Sequence, residues 1–357
     1  MRAKSLSLLV LLALAACEKN EPKPESTAKK EETAASKVEA IDPDLAQAVA
    51  AASVERSGAR GAPPQAEGGP PPDGVFAPGA ADKELARGAM PKLTLGSEGT
   101  DPKQQLGPGK SPPKLTGTIQ IALQQDPRQD PFPVLLNVTL EPKKVEGGKE
   151  GDAPVSMPVT VRVTGAKVDL DAAQVPKELS DQLAKLKGSK VEYSILPGGA
   201  GAGFHFETPK GAPEEFKNIV RSLSDSLSLL TIPYPDKPLG AGGYFMVTSR
   251  DEVLDLDLVT YRMIKVKEVT PQGVTLDVST KRYAANRSFN FPGLPPNIDK
   301  TLAEFQAASE GTVQLGLGSL LPAQGQISSM LAAQLGAKDP KQRAVLQFQT
   351  RAQLNLK

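Results

Sequence analysis

Residues 346–356 read Leu-Gln-Phe-Gln-Thr-Arg-Ala-Gln-Leu-Asn-Leu, and this stretch decides the fold class of the chain. Its apolar side chains are Leu346, Phe348, Ala352, Leu354 and Leu356, and polar residues separate them along the stretch. Because successive side chains of a strand point to opposite faces, this alternation predicts a β-strand buried on one face. Sheets with one packed and one solvated face are typically antiparallel.

The same two-residue period recurs upstream of this stretch. It is clearest in residues 119–123, 136–140, 159–163, 191–195, 204–206, 274–278 and 313–317. The links at residues 270–273 and 321–325 contain the Pro and Gly that tight turns use, so sequence neighbours should pair antiparallel. The pattern predicts about eleven strands in all.

Only two segments show apolar residues at helical spacing, 176–187 and 212–230. The longer one has Pro213 near its start, Pro233 just past its end, and Leu223 near its centre, which we expect to be buried. Strands do not alternate with helices as a parallel sheet requires. The expected fold is therefore α+β: a mainly antiparallel β-sheet, curved or a half-barrel, packed on one long helix.

The composition changes along the chain and predicts its domain organisation. Fourteen of the fifteen aromatic residues lie at Phe132 or later, so the β-rich globular domain should span 115–357, with a junction that allows two halves, 115–232 and 233–357. Residues 58–114 are rich in Pro and Gly and form an arm, for which an ordered and a disordered state are equal alternatives. Residues 17–57 have the composition of a flexible, disordered tether, with a short helix plausible at 42–55.

The first 17 residues have the layout of a secretory signal peptide. Arg2 and Lys4 precede an apolar run at residues 6–14, which is too short to span a membrane. Leu14-Ala15-Ala16-Cys17 resembles a bacterial lipobox at every position. The resemblance implies that the signal peptide (1–16) is removed and that Cys17 becomes the lipidation site. Its thiol would carry a diacylglyceryl group, and its amino group would carry a fatty acyl chain such as palmitate.

Several acyl chains on Cys17 would anchor the protein stably in a lipid bilayer. The expected location is therefore the bacterial cell envelope. Glu18 and Lys19 leave the inner and the outer membrane open, because sorting rules at these positions differ between lineages.

Charge and rare residues exclude several classes of function. The chain has 42 basic and 41 acidic residues, which gives no electrostatic reason to expect nucleic acid as a partner. With aromatic residues at 4% and no Trp, stacking platforms for sugars or bases are disfavoured. The single His and single Cys cannot build a His/Cys metal cage, and we expect no cofactor.

Three features could carry chemistry, and each has a simpler structural interpretation that we favour. His205 lies between Phe204 and Phe206, so it should face solvent on its strand. The Gly-rich run at 198–203 opens no helix and is more typical of a hairpin loop than of a phosphate cradle. The carboxylates Asp251, Glu252, Asp255 and Asp257 lack the spacing of a calcium loop and fit a charged strand edge.

Residues 232–245 read Ile-Pro-Tyr-Pro-Asp-Lys-Pro-Leu-Gly-Ala-Gly-Gly-Tyr-Phe. This junction resembles one in a family of uncharacterised bacterial lipoproteins with a Pro-Asp-Lys-Pro-x-Gly-x-Gly-aromatic pattern. The resemblance covers residues 212–340, and Tyr244 and Phe245 stand where the family often has Trp. The family has no assigned chemistry, so the resemblance supports the fold, whose architecture is similar to the half-barrels of periplasmic lipoprotein and lipid carriers.

These observations favour a membrane-anchored envelope lipoprotein that is not an enzyme. It would bind a hydrophobic ligand or an envelope protein, or act as a scaffold. The alternative is a carboxylate-based envelope hydrolase, although no spacing nominates a catalytic pair. A third hypothesis is an assembly partner that adds its arm, residues 58–113, onto another protein.

Overall fold

The structure of the chain is a computed structural model. The described residues are 70–107, 114–124, 131–143, 156–170, 175–253, 256–289, 300–316, 319, 321–336 and 344–357. They belong to one compact unit, Gln65–Lys357. The predicted signal peptide, Cys17, the tether and the helix at 42–55 lie outside the described residues. No helix among the residues described has both the length and the apolar character needed to cross a membrane.

The described residues form three helices and fourteen strands. The helices are α1 (Ala80–Glu84), α2 (Lys177–Ala184) and α3 (Glu214–Leu230). The strands are β1 (Lys92–Ser97), β2 (Thr100–Gln104), β3 (Leu115–Gln124), β4 (Phe132–Pro142), β5 (Met157–Val168), β6 (Lys190–Ile195), β7 (Gly201–Glu207), β8 (Leu239–Ala241), β9 (Tyr244–Val253), β10 (Leu256–Thr270), β11 (Gly273–Ala284), β12 (Leu302–Gly316), β13 (Gln324–Leu335) and β14 (Ala344–Leu356).

Twelve of these strands form one antiparallel sheet in the order β1-β9-β10-β11-β12-β13-β14-β3-β4-β5-β6-β7. The outer strands β1 and β7 are not paired with each other, so the sheet is open and curved. Strands β2 and β8 form a separate two-stranded sheet. The predicted α+β class with a mainly antiparallel sheet is confirmed.

The stretch at 346–356 occupies β14, near the middle of the sheet. Ala352 lies opposite Ile327 of β13 on one side and Ile121 of β3 on the other. Strand β14 thus joins β3–β7, from the first half of the chain, to β9–β13, from the second half. The two halves proposed from the sequence share one sheet and one main core.

Helix α3 packs on the concave face of the sheet. It contacts β3, β6 and β7 on one side and β13 and β14 on the other. Its residues Phe216, Ile219, Val220, Leu223, Leu227 and Leu230 belong to the main hydrophobic core. Leu223 is fully buried, as its helical position predicts. The shorter helix α2 contacts β5 and buries Leu179 and Leu183.

The boundary expected at residue 115 does not coincide with the edge of the sheet. Strand β1 pairs with β9, so residues of the Pro/Gly-rich arm supply an outer strand. Further upstream, the Phe76 amide donates to the Ala284 carbonyl at 2.8 Å and the Phe305 amide donates to the Asp73 carbonyl at 2.9 Å. Residues 70–107 are therefore an ordered part of the folded body.

The arm also covers the outer face of the sheet beside α1. The Phe76 ring meets Tyr283 edge to face, with centroids 6.1 Å apart, and the Tyr261 hydroxyl donates to Glu84 at 2.9 Å. As a result, the sheet is covered on both faces here, and the consecutive residues Leu258 and Val259 are both buried. This accounts for the lack of clean alternation at the start of β10.

A candidate ligand cleft between the helix and the sheet

A cleft opens between α3 and the part of the concave face formed by β11–β14 and β3. It contains about 600 Å³ of space counted to its open mouth. The enclosed part has room for only a few water molecules. The sheet side of the cleft includes the apolar residues Leu123, Ala307, Leu331 and Phe348.

Small side chains explain why a gap remains between the sheet and the helix at this position. Ala307 and Ser309 of β12 and Ser329 of β13 line the cleft, and Ser222 faces them from the helix. Elsewhere on the concave face, large aliphatic residues reach the helix and fill the space. Because a close-packed interior requires complementary volumes, a row of small residues leaves a groove.

The polar end of the cleft is built around an ion pair between the sheet and the helix. Arg282 of β11 places its Nη1 2.8 Å from Oδ1 of Asp225 on α3, and the two side chains are only 7% and 14% exposed. Ser309, beside them in the cleft lining, is 8% exposed, and its hydroxyl has no hydrogen-bond partner. The Nε of Arg282 is also buried without a partner.

A second buried arginine, Arg262 of β10, holds the C-terminal end of α3. Its two terminal nitrogens donate to the backbone oxygens of Thr231 at 2.9 Å and Ser228 at 3.1 Å. Burial, with a smaller contribution from the charge of Arg282, lowers the pKa of Arg262 to about 10. A cation is favourable at this end of a helix because the last carbonyls carry partial negative charge. Arg262 is therefore a helix-capping residue.

Arg221 supplies a further positive charge on the helix side of the cleft. Its Nη1 donates to the Asn218 amide oxygen at 2.8 Å, and its guanidinium carbon lies 5.4 Å from the centroid of the Phe206 ring. These contacts hold the guanidinium against the helix and β7. The cleft is thus lined by two guanidinium groups, Arg221 and Arg282, and by one carboxylate, Asp225, among the residues that the structure describes.

The structure places His205 and the Gly-rich run away from this cleft lining. The His205 side chain is 67% exposed and lies 3.7 Å from the Glu207 carboxylate, as expected for the outward face of β7. Gly198 and Gly199, with φ angles of 86° and 83°, turn the chain between β6 and β7. A Cβ on Gly199 would overlap the Tyr234 ring at 2.1 Å.

The acidic cluster is distributed over separate partners. Asp257 accepts from Arg250 at 2.9 Å, Glu252 pairs with Arg87 at 2.8 Å, and Asp251 accepts from the Ser249 hydroxyl at 2.8 Å. Asp255 lies outside the described residues. No group of three metal-ligating side chains occurs in the described part of the chain. Strand β1 pairs with β9 only from Tyr244 to Thr248, so among the described strands Asp251 and Glu252 are paired with β10 alone, as expected for a strand edge.

The Pro-Asp-Lys-Pro junction has a structural explanation. Lys237 pairs with Glu98 at 3.1 Å, and β8 pairs with β2. A Cβ on Gly240 would lie 1.6 Å from the Thr100 carbonyl oxygen, so only glycine allows this close approach of two backbones.

Neither a protein-family model nor a curated protein matches the sequence.

The residues that define the cleft's polar end are absent from the sequence-based candidates. A signal for one of them, Arg282, does exist, since it shares the strand phase of Val278 and Ala284; the helix-capping Arg262 likewise shares the phase of Leu258 and Ile264. An arginine in the inward phase of a buried strand needs a partner in the core. The identity of that partner, Asp225, depends on how the helix crosses the sheet, which the sequence pattern does not define.

Proposed function

We propose that this protein is a lipid-anchored envelope protein, not an enzyme, which binds a hydrophobic or amphiphilic ligand in the cleft between α3 and the sheet. The observation that carries the proposal is the cleft itself. It combines an apolar sheet surface with a few buried polar groups, which is the composition that small-molecule sites usually have.

The side chains of the cleft favour binding over hydrolysis. A carboxylate-based hydrolase needs two carboxyl groups with different protonation states facing one substrate. Among the described residues of the cleft, Asp225 is the only carboxylate, and it is paired with Arg282. A paired carboxylate positions the helix and does not supply an acid–base pair.

The proposed anchor is Cys17, whose acyl chains would hold the protein on a bilayer. We expect Cys17→Ser to abolish labelling by a palmitate analogue and to release the protein from the membrane fraction, because the leader is too short to span a bilayer. Cell fractionation of bacteria expressing either chain measures this. A mutant that stays in the membrane fraction would reveal a second anchor.

The ligand hypothesis can be tested by organic extraction of residues 17–357 with Cys17→Ser, followed by mass spectrometry. This chain retains every described residue and carries no acyl groups of its own. We expect a co-purifying amphiphile in about stoichiometric amount. If no amphiphile is found in repeated preparations, the scaffold or partner-binding hypothesis remains and the ligand hypothesis is wrong.

A matched pair of variants links the bound molecule to the cleft. Ser329 lines the cleft, whereas Ser328 is on the opposite face of β13. We expect Ser329→Leu to fill the groove and remove the ligand, while Ser328→Leu retains it. Equal ligand content in the two variants would place the binding site elsewhere.

A further inference from the structure

An exposed apolar patch lies on the outer face of the sheet, on the side opposite the cleft. Tyr244 and Met246 of β9 and Met263 of β10 are 39%, 41% and 43% exposed, and they are three of the six large apolar residues that are exposed in the described part of the chain. Met246 and Met263 are register partners, and Tyr244 lies two residues from Met246 on the same face of β9. The three side chains therefore form one contiguous surface, which we call the outer patch.

The outer patch does not result from a shifted strand register. The residues of the opposite phase, Phe245, Val247 and Ile264, are fully or almost fully buried in the main core. An antiparallel strand with one solvated face normally has polar residues on that face. Strands β9 and β10 are apolar on both faces at this position, which is typical of a surface that contacts a partner or a membrane.

The ring of Tyr244 is held on this surface by β1. A Cβ on Gly96 would lie only 2.1 Å from the Tyr244 ring, so the ring lies directly over the glycine backbone. Lys265 is the register partner of Tyr244 and is exposed beside it. An aromatic ring with a hydroxyl and a lysine with a long apolar stem are side chains that suit the boundary between water and hydrocarbon.

The arm covers the neighbouring part of the outer face and ends its cover at the patch. Phe76 and Val259 belong to one buried cluster on this face, and the Tyr261 hydroxyl donates to Glu84. Met263, the next residue on this face of β10, is exposed. Since Phe76 follows within a few residues of position 70, where the described chain begins, the chain enters the folded body beside the face that carries the patch.

The length of chain that precedes position 70 permits contact between this face and a bilayer. Residues 18–69 separate Cys17 from the described body, and a chain of that length spans at most about 190 Å. A body attached to a bilayer through such a segment is held at a raised effective concentration near the lipid surface, so an apolar patch of modest area is sufficient for contact.

Building on the proposed lipid anchor, we propose that the outer patch contacts the bilayer surface, with Met246 and Met263 inserted at the boundary between headgroups and acyl chains and Tyr244 at the level of the headgroups. Interfacial segments bury apolar side chains about 5–10 Å into this boundary. The cleft lies on the opposite, concave face and takes no part in the contact.

The single cysteine of the chain and its lack of Trp make a direct test possible. Residues 17–357 are coupled through the Cys17 thiol to a maleimide lipid in phosphatidylcholine vesicles, with Met246→Trp as the fluorescent reporter. Leu170→Trp, which replaces an exposed apolar residue just after β5, is the matched control. We expect the emission of the Met246→Trp protein to shift to the blue and to be quenched by brominated phosphatidylcholine. The emission of the Leu170→Trp protein should stay as it is before coupling.

A second substitution tests the apolar contact itself. Met263→Glu in the Met246→Trp chain places a charge within the patch and should abolish both the blue shift and the quenching, because a carboxylate resists transfer out of water. Gln326→Glu adds the same charge at an exposed position of β13 and should leave both signals unchanged. Both replaced side chains are exposed, so we expect both variants to fold.

The outcomes separate this inference from the proposed function. Quenching of both reporters, quenching of neither, or quenching that persists after Met263→Glu would overturn the bilayer contact. If the uncoupled Met246→Trp protein is already blue-shifted and its sedimenting mass doubles with concentration, the patch is an interface between two copies and the proposal is wrong. The coupling replaces the acyl groups chemically, so none of these results depends on whether Cys17 is lipidated in cells or whether the cleft binds a ligand.

Discussion

The two faces of α3 lie under the same curved sheet, yet one is packed and the other borders a cleft. The packed face carries Val220, Leu223, Leu227 and Leu230, all buried in the main core. The cleft face carries Asn218, Arg221, Ser222 and Asp225, all partly accessible. Both faces follow the same helical period, so the helix alone does not explain the difference.

The strands opposite each face complete the explanation. Strands β4–β6 direct large aliphatic residues such as Leu136, Val161 and Val191 into the core. Strands β12 and β13 present Ala307, Ser309 and Ser329 at the corresponding depth. A twelve-stranded sheet is wider than a single helix can cover, and the sequence concentrates the unfilled space on one side of it. The comparison indicates that stability depends on the packed face, and it leaves the cleft face for the ligand binding that we propose.

The strongest test of this division is to shorten one side chain on each face. We expect Leu223→Ala to lower the free energy of unfolding by about 2–5 kcal/mol, through lost transfer energy and a residual cavity. Ser222→Ala, on the cleft face, should change it by less than about 0.5 kcal/mol. Urea denaturation measures both. A Leu223→Ala protein as stable as its parent would show that the packed face is misplaced.

Arg262 of β10 contacts the C-terminal end of α3, and its replacement should have the next largest effect on stability. Arg262→Met leaves the carbonyls of Ser228 and Thr231 buried without donors, which should cost about 1–3 kcal/mol of unfolding free energy. Arg162→Met, at an exposed position of β5, is the control and should be within about 0.5 kcal/mol of the parent. Equal stability of the two variants would argue against the capping role.

The stability of the packed side should also depend on pH, through the buried Tyr193 of β6. Burial raises the pKa of this phenol, so above about pH 10 the unfolded chain loses its proton while the folded chain retains it. The folded state then binds more protons, and its stability should fall by about 1.4 kcal/mol per pH unit. Tyr193→Phe lacks this contribution, so the unfolding free energy of the parent should fall relative to that of the variant above about pH 10.

Arg262 acts in the opposite direction in the same range of pH. Its lowered pKa makes the folded state release a proton first, which raises stability as the pH increases above about 10. Because parent and Tyr193→Phe both contain Arg262, the difference between their unfolding free energies isolates the phenol. Denaturation series that run parallel in the two proteins through this range would contradict the burial of Tyr193.

The smallest effect on stability is expected at His205, which lies on β7 and contributes to neither the packed face nor the cleft face. His205→Gln should leave the free energy of unfolding within about 0.5 kcal/mol and should leave amphiphile binding unchanged, because the side chain points to solvent. Thermal denaturation and calorimetry measure the two quantities. A loss of binding at unchanged stability would reassign the site to β7.

Period-two and helical patterns were sufficient to predict the sheet, its antiparallel pairing and the burial of Leu223. These patterns failed where contact with another segment of the chain determines which side chains are buried. In β10, Leu258 and Val259 are consecutive buried residues because the arm covers the outer face, and a local pattern carries no information on that cover. Likewise, β1 has only Leu93 and Leu95 as alternating apolar residues, too few to predict its pairing with β9.

The cleft was less predictable than the fold, because it is formed by small side chains that have no distinctive sequence pattern. Ala307, Ser309 and Ser329 are unremarkable within their strands and become a groove only when α3 lies across them. The sequence did contain arginines in the inward phase of β10 and β11, which are unusual in a buried strand. Their pairing with Asp225 and the helix end required the three-dimensional arrangement.

The position of β14 has a consequence for biosynthesis. It follows every other described strand, yet it lies between β13 and β3 and contributes Phe348 and Thr350 to the cleft. Until it is made, the nascent chain holds two half-sheets whose edges expose unpaired backbone groups. Joining strands so distant in sequence is slow, and such intermediates require protection from aggregation. A chain that ends before residue 344 would therefore lack the strand that joins the two half-sheets, and its cleft would be incomplete even with α3 formed.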